Sequence, residues 1–275
     1  MARRSRRNRS SAGTRWRYGA HAWLLGAIVA GAVWADCPPA PEVVARLDAL
    51  PLTQASRTAR FGLPVPRDLF AEAIARPGTP IPSRDGKIIQ GVMLVAVPIE
   101  IWWQVVNDDD HHAEDGYLPL RHSEVIAGIP GRSGRTTFQY YKSWGLGRWW
   151  VNRLQANESL YRASEGALWE LHWRDVMADY PGELPPVEID SNVPPIEEDW
   201  GAWLLVSLGE SCTLVEYVAS GEPGGLVGVL QWMALTRTLK TTFRGMVAMV
   251  EEHLAAPHAR PVFHRPDGTP IEPRD

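Results

Sequence analysis

The sequence lacks the short motifs of the common hydrolytic and metal-dependent enzymes. It has no HExxH, CxxC or HxH arrangement for a zinc ion, and no serine stands in a GxSxG turn. The stretches GRSGR and GEPGG lack the lysine and spacing of a phosphate-binding loop, so we interpret them as turns. We therefore expect no catalytic motif residue, no cofactor and no resident metal ion.

Cysteine is scarce, with Cys37 and Cys212 the only two in 275 residues. In an oxidising compartment they could form one disulfide that ties the start of the mature chain to its body. Pairing requires Cα atoms within about 7 Å, which a sequence does not show, so two free thiols stay an open alternative.

Acidic residues are absent from the first 35 positions, where seven arginines precede the apolar stretch YGAHAWLLGAIVAGAVWA. This order, a basic region followed by an apolar region, is typical of a secretory signal peptide. Val33 and Ala35 occupy the small-residue positions of its cleavage site. We predict cleavage after Ala35 and export to the periplasm or the exterior. The alternative is a membrane anchor over residues 18–35, although His21 interrupts the run, which is shorter than the ~20 residues that span a bilayer.

Positive charge is also sparse beyond that segment. The first 35 residues hold 7 of the 28 basic residues and none of the 32 acidic ones, so residues 36–275 carry a net charge of about −11. Because nucleic-acid binding rests on basic patches, this balance argues against a nucleic-acid partner.

The remaining chain has three parts. Residues 36–86 are proline-rich, with helices predicted over Pro41–Leu50 and Pro66–Ala75, and form an extension that packs on or drapes over the main domain. Residues 87–256 form that domain, beginning with the strand KIIQGVMLVAV and the short helix PIEIWWQVVND. Residues 257–275 hold five prolines without a sustained pattern and are interpreted as a tail.

The main domain continues with closely spaced strands and one long helix. Glycine and serine turns separate the predicted strands, and a proline-rich loop over Pro181–Asp199 is too long for a hairpin. Apolar residues at helical spacing predict an amphipathic helix of about eight turns over Leu226–Leu254. The strand candidates are LRHSEVIAG, TTFQYYKSW, RWWVNRLQA, SLYRAS, ALWELHWRDV, GAWLLVSLG and TLVEYVAS.

Several of these segments resemble a known superfamily. VAVPIEIWWQVVND is similar to the strand-to-helix opening of the START/Bet v1-like (SRPBCC) superfamily, and SEGALWELHW and SCTLVEYVASGEPGGLVGVLQWM resemble its last strands, glycine turn and closing helix. The resemblance covers roughly Lys87 to Leu254. It implies an α+β helix-grip fold, in which a curved antiparallel sheet of six to seven strands wraps around the C-terminal helix. The enclosed cavity holds lipids, sterols, polyketides or other apolar molecules in relatives, and the superfamily has no universal catalytic residue.

Strand alternation predicts which side chains face that helix. In LWELHWR, one face carries Trp169, Leu171 and Trp173, and the other carries Glu170, His172 and Arg174, which we interpret as a paired surface network. The same reasoning gives the pair Phe138 and Tyr140 one face and the pair Val215 and Tyr217 another, and both faces should point at the helix. Met233 and Met246 of the long helix are predicted at the same apolar pocket. The predicted ligand-binding residues are Phe138, Tyr140, Trp169, Leu171, Trp173, Val215, Tyr217, Met233 and Met246.

The stretch NDDDHHAED, residues 107–115, concentrates acids and histidines. His111 and His112 are adjacent, so their side chains diverge on a helix or a strand, whereas zinc ligands converge. We therefore interpret the run as a solvated loop rather than a metal site.

Two functions of different class follow. The first is an exported protein that binds a hydrophobic small molecule, a lipid, sterol or similar ligand, for carriage or sensing, with transient membrane contact. The second is a cavity enzyme of the polyketide cyclase or dehydratase kind. A third, in which the fold is a scaffold for a surface function, has less support. An almost wholly apolar cavity wall favours the carrier, and ionisable groups that converge inside it favour the enzyme.

Overall fold

The computed structural model describes residues 37–53, 56–57, 65–85, 88–143, 146–189, 193–196, 198–222, 225–255 and 261–272. Within these ranges, only the backbone is described for residues 84–85, 115, 143, 146 and 221–237. The predicted signal peptide, residues 1–35, lies outside the described residues. No helix of the described ranges combines the length and the apolar character needed to cross a bilayer.

Two helices form the N-terminal extension, as the sequence predicted. Helix α1 spans Ala40–Ala49 and helix α2 spans Arg67–Ala75. Each buries one apolar face, with Val43 and Leu47 on α1 and Phe70 on α2. These faces pack against the outer surface of the sheet, where Leu94, Val206 and Leu214 belong to the same apolar cluster.

Eight antiparallel strands form one sheet in the order β1-β2-β8-β7-β6-β5-β4-β3. Strands β3 to β8 follow one another as neighbours, and β2 pairs with β8. The strands are β1 (Ile81–Asp85), β2 (Ile88–Val95), β3 (Leu120–Ala127), β4 (Thr136–Ser143), β5 (Leu146–Ala156), β6 (Leu168–Asp175), β7 (Glu198–Ser207) and β8 (Thr213–Glu222).

Three helices complete the main domain. The predicted helix after Pro98 is present as α3, Ile99–Val106, with Trp102 and Trp103 fully buried. The segment SLYRAS was predicted to be a strand, which is wrong, because it forms helix α4, Glu158–Ala163. The Asn157 side chain caps that helix by accepting from the Leu160 N–H at 3.1 Å.

The long C-terminal helix α5 spans Gly225–Ala255 and lies against the concave face of the sheet. Its residues Leu239 and Phe243 contact β2 at Gly91, where a Cβ atom would lie 2.7 Å from the Phe243 ring. Gly245 meets the backbone carbonyl of Tyr117, with no space for a larger residue. These elements and their order are the predicted helix-grip architecture, which is confirmed. The sheet has eight strands rather than the six to seven predicted, because Ile81–Asp85 in the predicted extension adds an edge strand beside β2.

Two segments without regular secondary structure also bury apolar residues. In the proline-rich loop, Val187 and Ile189 cover the outer face of β4 and β5. In the last described segment, residues 261–272, Phe263 and Ile271 belong to the main core, and the Trp103 Nε1–H donates to the His264 carbonyl at 2.7 Å. That segment is therefore packed against the domain, although its sequence shows no sustained pattern.

Cys37 and Cys212 are joined in a disulfide, with Cα atoms 5.0 Å apart. The bond connects the residue three positions before α1 to the turn between β7 and β8. The sequence left open whether these cysteines form a disulfide or two free thiols, and the structure shows the disulfide.

Candidate functional site

A cavity of about 280 Å³ lies between the concave face of the sheet and helix α5. Its wall is largely apolar, and its volume is near the lower end of the ~300–1,000 Å³ typical of small-molecule sites. Residues of β4 to β8 supply most of the sheet side, and Thr238, Thr242 and Met246 supply the helix side.

Aromatic rings form one continuous part of the wall. Trp203 contacts Tyr217 with ring centroids 4.6 Å apart, and Tyr217 contacts Trp173 at 5.6 Å. Phe243 of α5 meets Trp203 edge to face at 5.7 Å. The Trp173 ring lies across Gly201, where a side chain would collide with it. Because these rings are fixed by one another, the wall presents a rigid apolar surface.

Four of the predicted ligand-binding residues line this cavity: Leu171, Trp173, Tyr217 and Met246. Trp169 and Val215 share the predicted face and belong to the core around the cavity, but they are not part of its wall. Met233 lies outside the residues whose side chains are described.

The predicted facing of Phe138 and Tyr140 is wrong. Both side chains point to the outer face of β4, where they pack with Val151 under the proline-rich loop. The alternate residues of the same strand, Thr137, Gln139 and Tyr141, line the cavity instead. The loop provides a second apolar layer outside the sheet, so aromatic residues on this strand are buried away from helix α5.

Sequence reasoning also missed the contribution of β5. Its side chains Arg148, Trp150, Asn152 and Leu154 alternate along the strand and line the cavity. The Trp150 Nε1–H donates to Gln139 Oε1 at 2.9 Å, which fixes both side chains across the β4–β5 pair. The alternation in RWWVNRL predicts that every second side chain shares a face. It does not predict which of the two faces points to the cavity.

A polar pair occupies one part of the wall. Asn152 is 3% exposed and donates from Nδ2 to an Asp199 carboxylate oxygen. Burial, and to a lesser extent the Asp199 charge, raises the pKa of Tyr217 above its ordinary value. The Tyr217 hydroxyl therefore stays protonated at neutral pH.

The acidic and histidine run is not a solvated loop at its start, which corrects our interpretation. Asp108, Asp109 and His112 are buried, and Asp109 and His112 line the cavity. Asp109 forms an ion pair with the fully buried Arg135, and the His112 Nε2–H donates to the Val105 carbonyl at 2.9 Å. Among the described residues, no three His, Cys, Asp or Glu side chains are grouped to hold a metal ion.

The other face of β6 carries a buried charge network rather than the predicted surface network. Glu170 faces away from the cavity and contacts Arg57 at 3.2 Å, and Arg57 contacts Glu216 of β8 at 2.8 Å. All three are at most 4% exposed. Burial raises the pKa of Glu216, the Arg57 guanidinium opposes this rise only in part, and the nearby Glu170 charge adds to it. His172 is on this face too, and burial lowers its pKa.

Comparisons with known proteins are limited to solved structures. No protein-family model matches the sequence, and the search of curated proteins finds no match. A STAR-related lipid transfer protein fragment from Xanthomonas axonopodis aligns at 15% identity over 64% of this chain and 99% of its own, with a TM-score of 0.46.

Two further solved structures illustrate the range of similar proteins. Human StAR-related lipid transfer protein 5 aligns at 12% identity over 66% of this chain and 90% of its own, with a TM-score of 0.46. The Zhui aromatase/cyclase from Streptomyces sp. R1128 aligns at 14% identity over 63% and 98%, with a TM-score of 0.44. The helix-grip architecture predicted from the sequence is confirmed by the strand order and the closing helix described above.

Proposed function

We propose that this protein binds a hydrophobic small molecule, a lipid, sterol or similar ligand, in the cavity for carriage or sensing. The observation that supports this most directly is the aromatic wall of Trp173, Trp203 and Tyr217 opposite helix α5. Each 100 Å² of apolar ligand surface buried there contributes ~2.5 kcal/mol. Leu171, Trp173, Tyr217 and Met246 are the proposed contact residues.

We further propose that the protein acts outside the cytoplasm, with transient contact to a membrane during ligand exchange. The basic and apolar leader supports export, and the bond between Cys37 and Cys212 is suited to an oxidising compartment. N-terminal sequencing of the protein from the host should give Asp36 as the first residue. An intact leader in the membrane fraction would contradict cleavage and favour the anchor.

Ligand content tests the binding function directly. We expect protein purified from its native host to carry an apolar molecule, which native mass spectrometry and solvent extraction would detect. In the emptied protein, the neutral fluorescent probe N-phenyl-1-naphthylamine should bind, and Trp173→Ala should weaken its binding. The matched change His172→Ala on the opposite face of β6 should leave it unaltered. The proposal would be refuted if protein from the native host carries no ligand and the emptied protein also does not bind the probe.

A second function is favoured by the ionisable wall residues Asp199, Tyr217 and His112. A cyclase-like enzyme would use such groups to exchange protons with a reactive polyketide chain held in the cavity. A poly-β-keto thioester probe would then cyclise faster with the wild type than with Asp199→Asn. Equal rates with protein and buffer would exclude this enzyme activity for that probe.

A further inference from the structure

The aromatic wall of the cavity includes one hydroxyl group, that of Tyr217. Strand alternation puts Tyr217 of β8 on the concave face together with Val215. Its ring contacts Trp203, with centroids 4.6 Å apart, and Trp173, with centroids 5.6 Å apart. Both tryptophans line the cavity, as Tyr217 does. The two ring contacts therefore hold the hydroxyl at a fixed place in this wall.

The Tyr217 hydroxyl is accessible from the cavity. It has no hydrogen-bond partner among the described residues, and its oxygen is not fully buried. Tyr217 packs against the main core and remains only partly buried. Because it stands on the face of β8 that lies beneath helix α5, its remaining accessible surface faces the cavity. The carboxylate whose charge acts on the hydroxyl, that of Asp199, also belongs to a residue of the cavity wall.

Several other polar side chains of the wall already hydrogen-bond to protein groups. A phenol hydroxyl is a better donor than acceptor, and the raised pKa of Tyr217 keeps its proton in place at neutral pH. Tyr217 therefore offers the cavity a donor that no described protein group accepts. The bonds of the other side chains join Gln139 to Trp150, Asn152 to Asp199, Asp109 to Arg135 and His112 to the Val105 carbonyl.

We propose that the Tyr217 hydroxyl donates a hydrogen bond to an acceptor oxygen of the ligand, which is an apolar molecule that carries a carbonyl, ether or hydroxyl oxygen. This inference rests on the proposed binding function and names its ligand class. A ligand that enters the cavity removes water from the hydroxyl. A pure hydrocarbon then leaves the donor unpaired, whereas an acceptor oxygen replaces the lost water while the apolar part lies against Trp173 and Trp203.

Two probes of one shape test the proposal: 2-acetylnaphthalene and 2-isopropenylnaphthalene, in which a CH₂ group replaces the carbonyl oxygen. Their affinities are measured at pH 7 by displacement of N-phenyl-1-naphthylamine from the emptied protein. We expect Tyr217→Phe to weaken binding of the ketone about three- to tenfold. Binding of the hydrocarbon should stay within about twofold, because phenylalanine keeps the ring contacts. The control Tyr140→Phe removes a hydroxyl on the outer face of β4 and should match the wild type for both probes.

The outcomes separate this inference from the function on which it rests. If Tyr217→Phe changes the affinities for both probes by the same factor, or changes neither, the inference fails and the binding function stands. The same holds if the wild type binds N-phenyl-1-naphthylamine but not the ketone. If the wild type binds neither that dye nor either probe, the proposed function itself fails.

A measurement on the wild type alone provides the test if Tyr217→Phe does not fold, which circular dichroism would show. Isotope-edited infrared spectroscopy reports the carbonyl stretch of the bound ketone. A hydrogen bond lowers this frequency, so we expect it to lie below its value in hexane. An unshifted carbonyl stretch would overturn the inference.

Discussion

Replacing Arg57 by methionine removes the cation that Glu170 and Glu216 share on the outer face of the sheet. Both carboxylates are at most 1% exposed, and Arg57 contacts them at 3.2 and 2.8 Å. Taking one partner from a buried ion pair costs ~3–5 kcal/mol, because the remaining charge stays buried. At about 2–4 °C per kcal/mol for a chain of this size, we expect a decrease in melting temperature of about 6–20 °C.

The assays are thermal unfolding and urea unfolding of the full chain at pH 7, each monitored by circular dichroism. A triple variant, Arg57→Met with Glu170→Gln and Glu216→Leu, removes all three charges and keeps an acceptor for Asn157, which donates to Glu170 at 2.7 Å. It should recover most of the lost free energy of unfolding.

The control is Arg162→Met, which removes a surface pair with Glu158 whose side chains are 64% and 54% exposed. That pair contributes at most ~0.5 kcal/mol. If Arg57→Met destabilises the protein no more than this control, or if the triple variant is as unstable as the single one, the reasoning about the buried charges is refuted.

Three further changes test other parts of the structure. Glu216 has a raised pKa in the folded state, so its stabilising contribution is complete below its ordinary pKa of 4.5 and is lost as the pH rises through the folded value. Glu216→Gln should therefore gain stability relative to the wild type in urea unfolding as the pH rises above about 4.5; a constant difference would contradict this. Gly245→Ala should destabilise by about 1–3 kcal/mol, because the new methyl group meets the Tyr117 carbonyl, whereas alanine in an unobstructed helix position would stabilise. Phe138→Ala should lower the melting temperature with a loss of about 3–5 kcal/mol and leave probe binding unchanged; weakened binding would indicate that Phe138 acts on the cavity.

The facing of β6 could be predicted because apolar and charged residues alternate strictly along it. Trp169, Leu171 and Trp173 alternate with the polar residues Glu170, His172 and Arg174, so the apolar side chains share the face that points to helix α5. In β4, both faces carry aromatic residues, namely Phe138 and Tyr140 on one side and Tyr141 on the other. The choice between them depends on the proline-rich loop that covers the outer face, and a strand's own sequence contains no information about such a cover.

Charged residues were the other source of error. Asp109 is buried because Arg135, 26 positions later in the chain, forms an ion pair with it, and the local sequence shows only a polar run. The same holds for Glu170, whose partner Arg57 belongs to the N-terminal extension. Helix α4 differs, because Asn157 and the Glu158–Arg162 spacing are readable signals of a capped helix that the strand interpretation overlooked.

The pairing of β2 with β8 has a consequence for how the molecule folds. Every residue of β2 is paired with a residue of the last strand, so β1 and β2 join the rest of the sheet only after the chain up to β8 is available. Such distant pairings are typical of domains that fold in milliseconds to seconds. During that interval β2 presents an unpaired apolar edge to its surroundings. Refolding yield should therefore fall with increasing protein concentration, and aggregation should compete with the closing of this one strand pair.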